Sequence, residues 1–154
     1  GNMGSELQMN YTCMGDTVNL AARLESGSKQ WGIDAQAAQS VYDKTKKDFV
    51  FRKLGGVRVK GKKEPVNVYE LLCKKGREPK GLDKLLKQFE KARMLYLKQD
   101  WDNAIKAFQM SDQLEDMSDS RHTNPSRTYI NICNEFKANP PGEDWDGVYT
   151  FKQK

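Results

Sequence analysis

Histidine, cysteine and long apolar runs are all scarce in this sequence. The single histidine, His122, lies in a polar stretch with Asp119, Arg121 and Thr123 and reads as a solvated side chain rather than a general base. The three cysteines, Cys13, Cys73 and Cys133, are odd in number and far apart, with no Cys-x-x-Cys or Cys/His spacing. That argues against a disulfide framework or a structural zinc and for a reducing compartment. No apolar run approaches the roughly 18 residues needed to cross a bilayer, and no secretory leader opens the chain. The expectation is a cytoplasmic chain, with an upstream membrane anchor of the intact protein left open. Gly1-Asn2-Met3-Gly4-Ser5 carries neither an initiator methionine nor a tag, so a fragment is expected.

Hydrophobic residues make up 37% of the chain, which can supply a core, while a mean hydropathy of −0.84 leaves much surface. Residues 1–75 hold 13 Lys/Arg against 8 Asp/Glu, and residues 76–154 hold 13 against 13. The excess positive charge therefore lies wholly in the first half, where it favours a polyanionic ligand such as a nucleoside triphosphate. Nucleic acid fits less well: Lys44, Lys46, Lys47, Lys60, Lys62 and Lys63 are scattered, without the interleaved aromatics of a single-strand platform.

Along the chain, Met9, Tyr11 and Cys13 alternate with Gln8, Asn10 and Thr12, which predicts a strand with one buried face. Gly15 ends it and Asp16 is expected to cap a helix over 17–30, weakened at Ser26-Gly27-Ser28. A second helix is predicted over 35–46. Strands follow at 49–54, 57–60 and 66–72, broken by Gly55-Gly56 and a charged turn at 61–65, as in an antiparallel hairpin closing a sheet. Lys74 to Gly81 marks a linker. Beyond it the period becomes helical: Leu82, Leu85, Leu86, Phe89, Ala92, Leu95 and Tyr96, then Trp101, Ala104, Ile105 and Phe108, predict an antiparallel helix pair. Residues 111–123 read as polar loop. A third helix starts at Asn124-Pro125-Ser126, burying Ile130, Cys133 and Phe136, and Trp145 anchors an extended end.

The run Tyr11-Thr12-Cys13-Met14-Gly15-Asp16-Thr17-Val18-Asn19-Leu20-Ala21-Ala22-Arg23-Leu24-Glu25-Ser26 closely resembles the strand–helix signature of class III adenylate and guanylate cyclases. A second, correctly ordered match follows: Phe51-Arg52-Lys53-Leu54-Gly55, Val59-Lys60-Gly61-Lys62, Glu64-Pro65-Val66 and Val68-Tyr69-Glu70. The resemblance covers roughly residues 1–75, the C-terminal half of such a domain and of the bacterial adenylate cyclase type. It implies an α+β fold, part of a ferredoxin-like antiparallel sheet with helices.

By this resemblance Arg23 stabilises the α-phosphate in the transition state, a task suited to a guanidinium fork. Asn19, one turn earlier, orients the ribose. Lys60 holds the terminal phosphates as a point charge. Thr12 stands where the base is chosen; adenylate cyclases often have Asp or Thr there and guanylate cyclases Cys, which points to ATP. Each residue also has a plain reading as a solvated helix or turn side chain, and Asp16 reads as a cap rather than a metal ligand.

The family's two divalent ions, Mg2+ or Mn2+, are held by aspartates upstream of the segment present here, so no metal ligand is assigned to this chain. The resemblance further implies a homodimer, in which this segment supplies the Asn/Arg half of the site to a second cyclase domain. Residues 85–111 resemble a tetratricopeptide helix pair through Ala92, Leu95, Ala104 and Phe108. The expected organisation is thus a cyclase half over 1–75, a linker over 76–81, a helical region over 82–138 that docks a protein partner, and an extended tail over 139–154. The alternative is a non-catalytic cyclase-like module that only supports protein contacts.

Overall fold

The computed structural model describes residues 1–5, 7–58, 65–115 and 122–150. It begins with a hairpin of β1 (Asn2–Ser5) and β2 (Gln8–Tyr11), with Asn2 opposite Tyr11 and Ser5 opposite Gln8. The alternation of residues 8–14 predicts one buried face, but both strands are exposed throughout, with Met9 at 61% and Tyr11 at 85%. The hairpin forms its own two-stranded sheet, so its apolar side chains have no second layer to pack against.

Helix α1 (Asp16–Trp31) follows Gly15. Asp16 does not cap it: no side-chain cap bond forms, and Asp16 instead lies in the first turn, where its charge meets the positive end of the helix dipole. The helix runs through Ser26-Gly27-Ser28, and the serine hydroxyls turn back onto the carbonyls of Arg23 and Glu25, at 3.0 and 2.6 Å. Leu20, Leu24 and Trp31, at helical spacing, form its inward face.

The predicted second helix divides. Residues Gln36–Ala38 form β3, pairing with Val68–Glu70, and only Gln39–Thr45 forms a helix, α2. Tertiary pairing here overrides the helical preference of the alanines. Strands β4 (Phe49–Val57) and β5 (Val66–Lys74) complete an antiparallel sheet in the order β3-β5-β4. Gly55-Gly56 does not break β4: the strand continues with a bulge, in which Lys53 faces Tyr69, Gly55 faces Val68 and Leu54 is skipped. Lys60, Val59, the turn at 61–64 and Phe151 lie outside the described residues.

Helices α3 (Leu82–Leu97) and α4 (Trp101–Asp112) form the expected pair, and α5 (Pro125–Ala138) packs on α4. Asp100 and Asn124 cap α4 and α5 through Asn103 N and Arg127 N. On α5 the buried face is Tyr129, Ile132 and Cys133; Ile130 and Phe136 flank it half-buried, a rotation from the predicted face. Ser111, expected in a loop, ends α4 fully buried. One core joins α1, the three-stranded sheet and α3 to α5, leaving the first hairpin outside: Leu24, Trp31, Leu54 and Val68 share a cluster with Phe89, Tyr96, Phe108 and Tyr129. Trp145 closes its far side against Tyr96, Trp101 and Phe136.

Candidate functional site

Helix α1 brings Asn19 and Arg23 together. They lie one turn apart on its exposed side, next to the Leu20–Leu24 stripe that is turned inward. The Asn19 N–H donates to the Gly15 carbonyl at 3.0 Å, so Asn19 belongs to the first hydrogen-bonded turn. Thr12 lies on the exposed segment between β2 and α1 and is held through its backbone. Its N–H donates to the Gly1 carbonyl and the Gly1 amine donates to the Thr12 carbonyl, each at 2.9 Å. The structure thus places Asn19 and Arg23 one turn apart on α1, leaves Thr12 on the segment before that helix, and does not describe Lys60.

The surroundings are as informative as the pair. Met9, Tyr11, Met14 and Val18 are exposed at 61, 85, 72 and 38%. A groove of about 470 Å³ runs beside α1, lined by Ala21, Leu24, Glu25, Ala35, Val41 and Phe51 among others. Neither Asn19 nor Arg23 lines it. Among the described residues no group of three His, Cys, Asp or Glu side chains is placed to hold a metal ion.

A second polar cluster escaped the sequence reading. Arg52 and Glu70 face each other across β4 and β5, with Arg52 Nε 2.6 Å from Glu70 Oε2. Arg52 Nη1 reaches Glu115 Oε1, three residues beyond α4, also at 2.6 Å, and Ser126 Oγ donates to the same oxygen at 2.8 Å. Arg52 is 3% exposed and Glu70 5%. Burial alone would lower the guanidinium's pKa, but the two carboxylates outweigh it and hold Arg52 charged, above its ordinary value. The signal was present in the strand alternation. Arg52 stands between Val50 and Leu54, and Glu70 between Val68 and Leu72, each at an inward position. The cluster opens on a cleft of about 750 Å³ between sheet and helices, lined also by Lys80, Lys84 and Arg127.

With this geometry in hand, comparison with known proteins is direct. Residues 1–72 match the model of the adenylate and guanylate cyclase catalytic domain. Adenylate cyclase 1 of Rhizobium meliloti is 38% identical over 72 residues, 47% of this chain and 11% of the relative. The terminal-differentiation-specific adenylate cyclase of Dictyostelium discoideum is 29% identical over 137 residues, 86% of this chain and 6% of the relative. That alignment is too long for the cyclase part alone and continues into the helices. The crystal structure of the adenylyl cyclase CyaB from P. aeruginosa is similar over 47% of this chain and 36% of its own, at 36% identity and a TM-score of 0.41. The chain thus spans only a small part of the curated relatives it matches. Its first 72 residues are thus similar to adenylate and guanylate cyclase catalytic domains.

Proposed function

We propose that this chain supplies the Asn19–Arg23 half of a dimeric adenylate cyclase site, which converts ATP to 3′,5′-cyclic AMP and pyrophosphate. The observation that carries the reading is the pair itself: an amide and a guanidinium one turn apart on the exposed side of α1, inside the family-matching segment. In the reaction the ribose 3′-oxygen forms a bond to the α-phosphorus as the bond to the bridging oxygen of pyrophosphate breaks. Negative charge spreads over the non-bridging oxygens, and stabilising it is the main catalytic task. Arg23 meets that charge with a planar set of donors, and Asn19 holds the ribose so that the 3′-oxygen lines up. Lys60 takes the terminal phosphates, and Thr12 accepts adenine rather than guanine. The exposed apolar surface around Tyr11 and Met14 is the face that the rest of the active site covers, from the upstream half of the domain and a second subunit. Residues 1–75 act as the cyclase half and the helices after 81 as its packing partner.

The test is a chimera carrying residues 1–154 behind the upstream half of the Rhizobium meliloti catalytic domain, assayed for cyclic AMP with manganese. The chimera should turn over ATP in preference to GTP. Asn19→Ala and Arg23→Ala should each lower turnover by about 10²-fold or more, the scale of losing a transition-state donor. The 154-residue chain alone should form no cyclic AMP. Robust cyclisation by the chain alone, or full activity of the Arg23→Ala chimera, would overturn the half-site reading.

A further inference from the structure

We infer that α5 is a positioning element for the Asn19–Arg23 helix, with Thr128 as the residue that fixes the C-terminal end of α1; this rests on the half-site reading above. A helix ends with carbonyls that have no intrahelical partner. In α1, Gly32 N–H and Ile33 N–H return to Lys29 and Ser28 carbonyls, at 3.3 and 3.1 Å. The Gln30 carbonyl is taken by the Thr128 hydroxyl, 98 residues later in the chain, at 3.0 Å. Thr128 is 7% exposed, so water does not readily replace it.

The contact is built into the backbone on both sides. Trp31, 2% exposed, packs on the Tyr129 ring with centroids 5.2 Å apart. Gly32 turns left-handed at φ 66°, and a β-carbon there would lie 2.2 Å from the Thr123 carbonyl oxygen, just ahead of α5. One residue beyond Thr128, the Tyr129 hydroxyl donates to the Leu54 carbonyl at the β4 bulge. Gly55, at φ 117°, leaves room for it: a β-carbon would lie 2.9 Å from Tyr129 Oη. Two consecutive residues of α5 therefore fasten the end of α1 and the bulge of β4.

Toward its start α1 is held more lightly: Leu24 is buried and Leu20 half-buried, whereas Val18, Ala21 and Ala22 are exposed. The helix acts as a lever pivoted near Gln30. At 1.5 Å per residue Arg23 is about 10 Å from the pivot and Asn19 about 16 Å, so a tilt of roughly 5° moves Asn19 by about 1.4 Å. A misplacement of about 1 Å can lower a rate by about 10²-fold. Thr128 thus acts on the chemistry through α1 while lying far from it.

Thr128→Val keeps the shape and removes the hydroxyl, and Thr128→Ser restores it. In the 154-residue chain, Thr128→Val should speed amide exchange over the last turn of α1 by about fivefold, the worth of one lost hydrogen bond. Exchange in α3 and α4 should stay unchanged. In the chimeric cyclase the same variant should lower kcat by about tenfold with KM for ATP within about twofold, and Thr128→Ser should recover it. Unchanged kcat and exchange in Thr128→Val, with Arg23→Ala still inactive, would overturn the positioning role and leave the cyclase reading intact. A fall in kcat that serine fails to rescue would likewise mean a merely structural role. An Arg23→Ala chimera with full activity would sink the cyclase reading first, and the positioning role with it.

Discussion

At the residue scale Arg52 is a buried cation with two carboxylate partners. Its guanidinium satisfies Glu70 and Glu115 at once, and it also lies over the Phe89 ring with its carbon 4.9 Å from the centroid. Removing one partner of a buried pair costs about 3–5 kcal/mol when the other charge is left alone. Arg52→Met leaves two carboxylates facing each other without a cation and should lose that much. Glu115→Gln leaves Arg52 paired to Glu70 and keeps an acceptor for Ser126, so about 2 kcal/mol is expected. Urea midpoints with an unchanged slope measure both. Equal losses would mean that Glu70 does not hold Arg52 by itself. Arg52 and Glu70 could be found from alternation, because each sits between inward apolar neighbours. Glu115 could not: it lies after the last apolar residue of α4, and only the packing of α4 against the sheet shows what it meets. Asn19 and Arg23 were legible from a motif, whereas the Thr128 contact spans 98 residues and leaves no local trace.

At the scale of elements, periodicity located α1, α3, α4, α5 and the β4–β5 hairpin, because each buries one face at its own repeat. It failed where a neighbour decides. Residues 36–38 read as helix and form β3 because an edge of β5 was open to pair with them. The first hairpin read as half-buried, yet the surface to cover it is not among the described residues. The same reasoning applies to the helices after residue 81, which composition sets apart behind a linker. Leu54 and Val68 are 0% exposed and Trp31 2%, and their cover includes Phe89, Phe108 and Tyr129 from α3, α4 and α5. Truncation after Lys75 would expose that face. The shortened chain is expected to bind a hydrophobic dye strongly and to lose its cooperative urea transition, whereas the whole chain keeps both a dry core and one transition. A truncated chain that unfolds cooperatively at the original midpoint would show the helices to be a separable appendage.

At the scale of the whole molecule the shared core is unusually rich in groups that can lose a proton. Burial pushes the Cys133 thiol up to about 12. Burial and then Glu135 push Tyr149 up to about 12. Burial also raises Tyr96 and Tyr129, the two phenols at the centre of the aromatic cluster. In an unfolded chain a thiol titrates near 8.5 and a phenol near 10, as order-of-magnitude references. The folded state therefore keeps protons that the unfolded state releases, and stability falls as pH rises. Its full value is present below about pH 8.5, the thiol contribution goes first, and the phenols follow above about pH 10. The urea midpoint should be level between about pH 7 and 8 and decline steadily toward pH 12. Cys133→Ala should lower the midpoint at neutral pH through the cavity it leaves. It should also flatten the first part of the decline, where Cys133 titrates together with Cys73, which burial also raises. A midpoint that rises between pH 9 and 11, or a slope that Cys133→Ala does not change, would contradict this. The decline also has a local consequence. Tyr129 donates its proton to the Leu54 carbonyl, so ionising it turns an attraction into the repulsion of two acceptors at the bulge of β4. Where Tyr129 ionises, the contact between α5 and β4 should therefore loosen, and amide exchange near Leu54 should accelerate before α3 and α4 open.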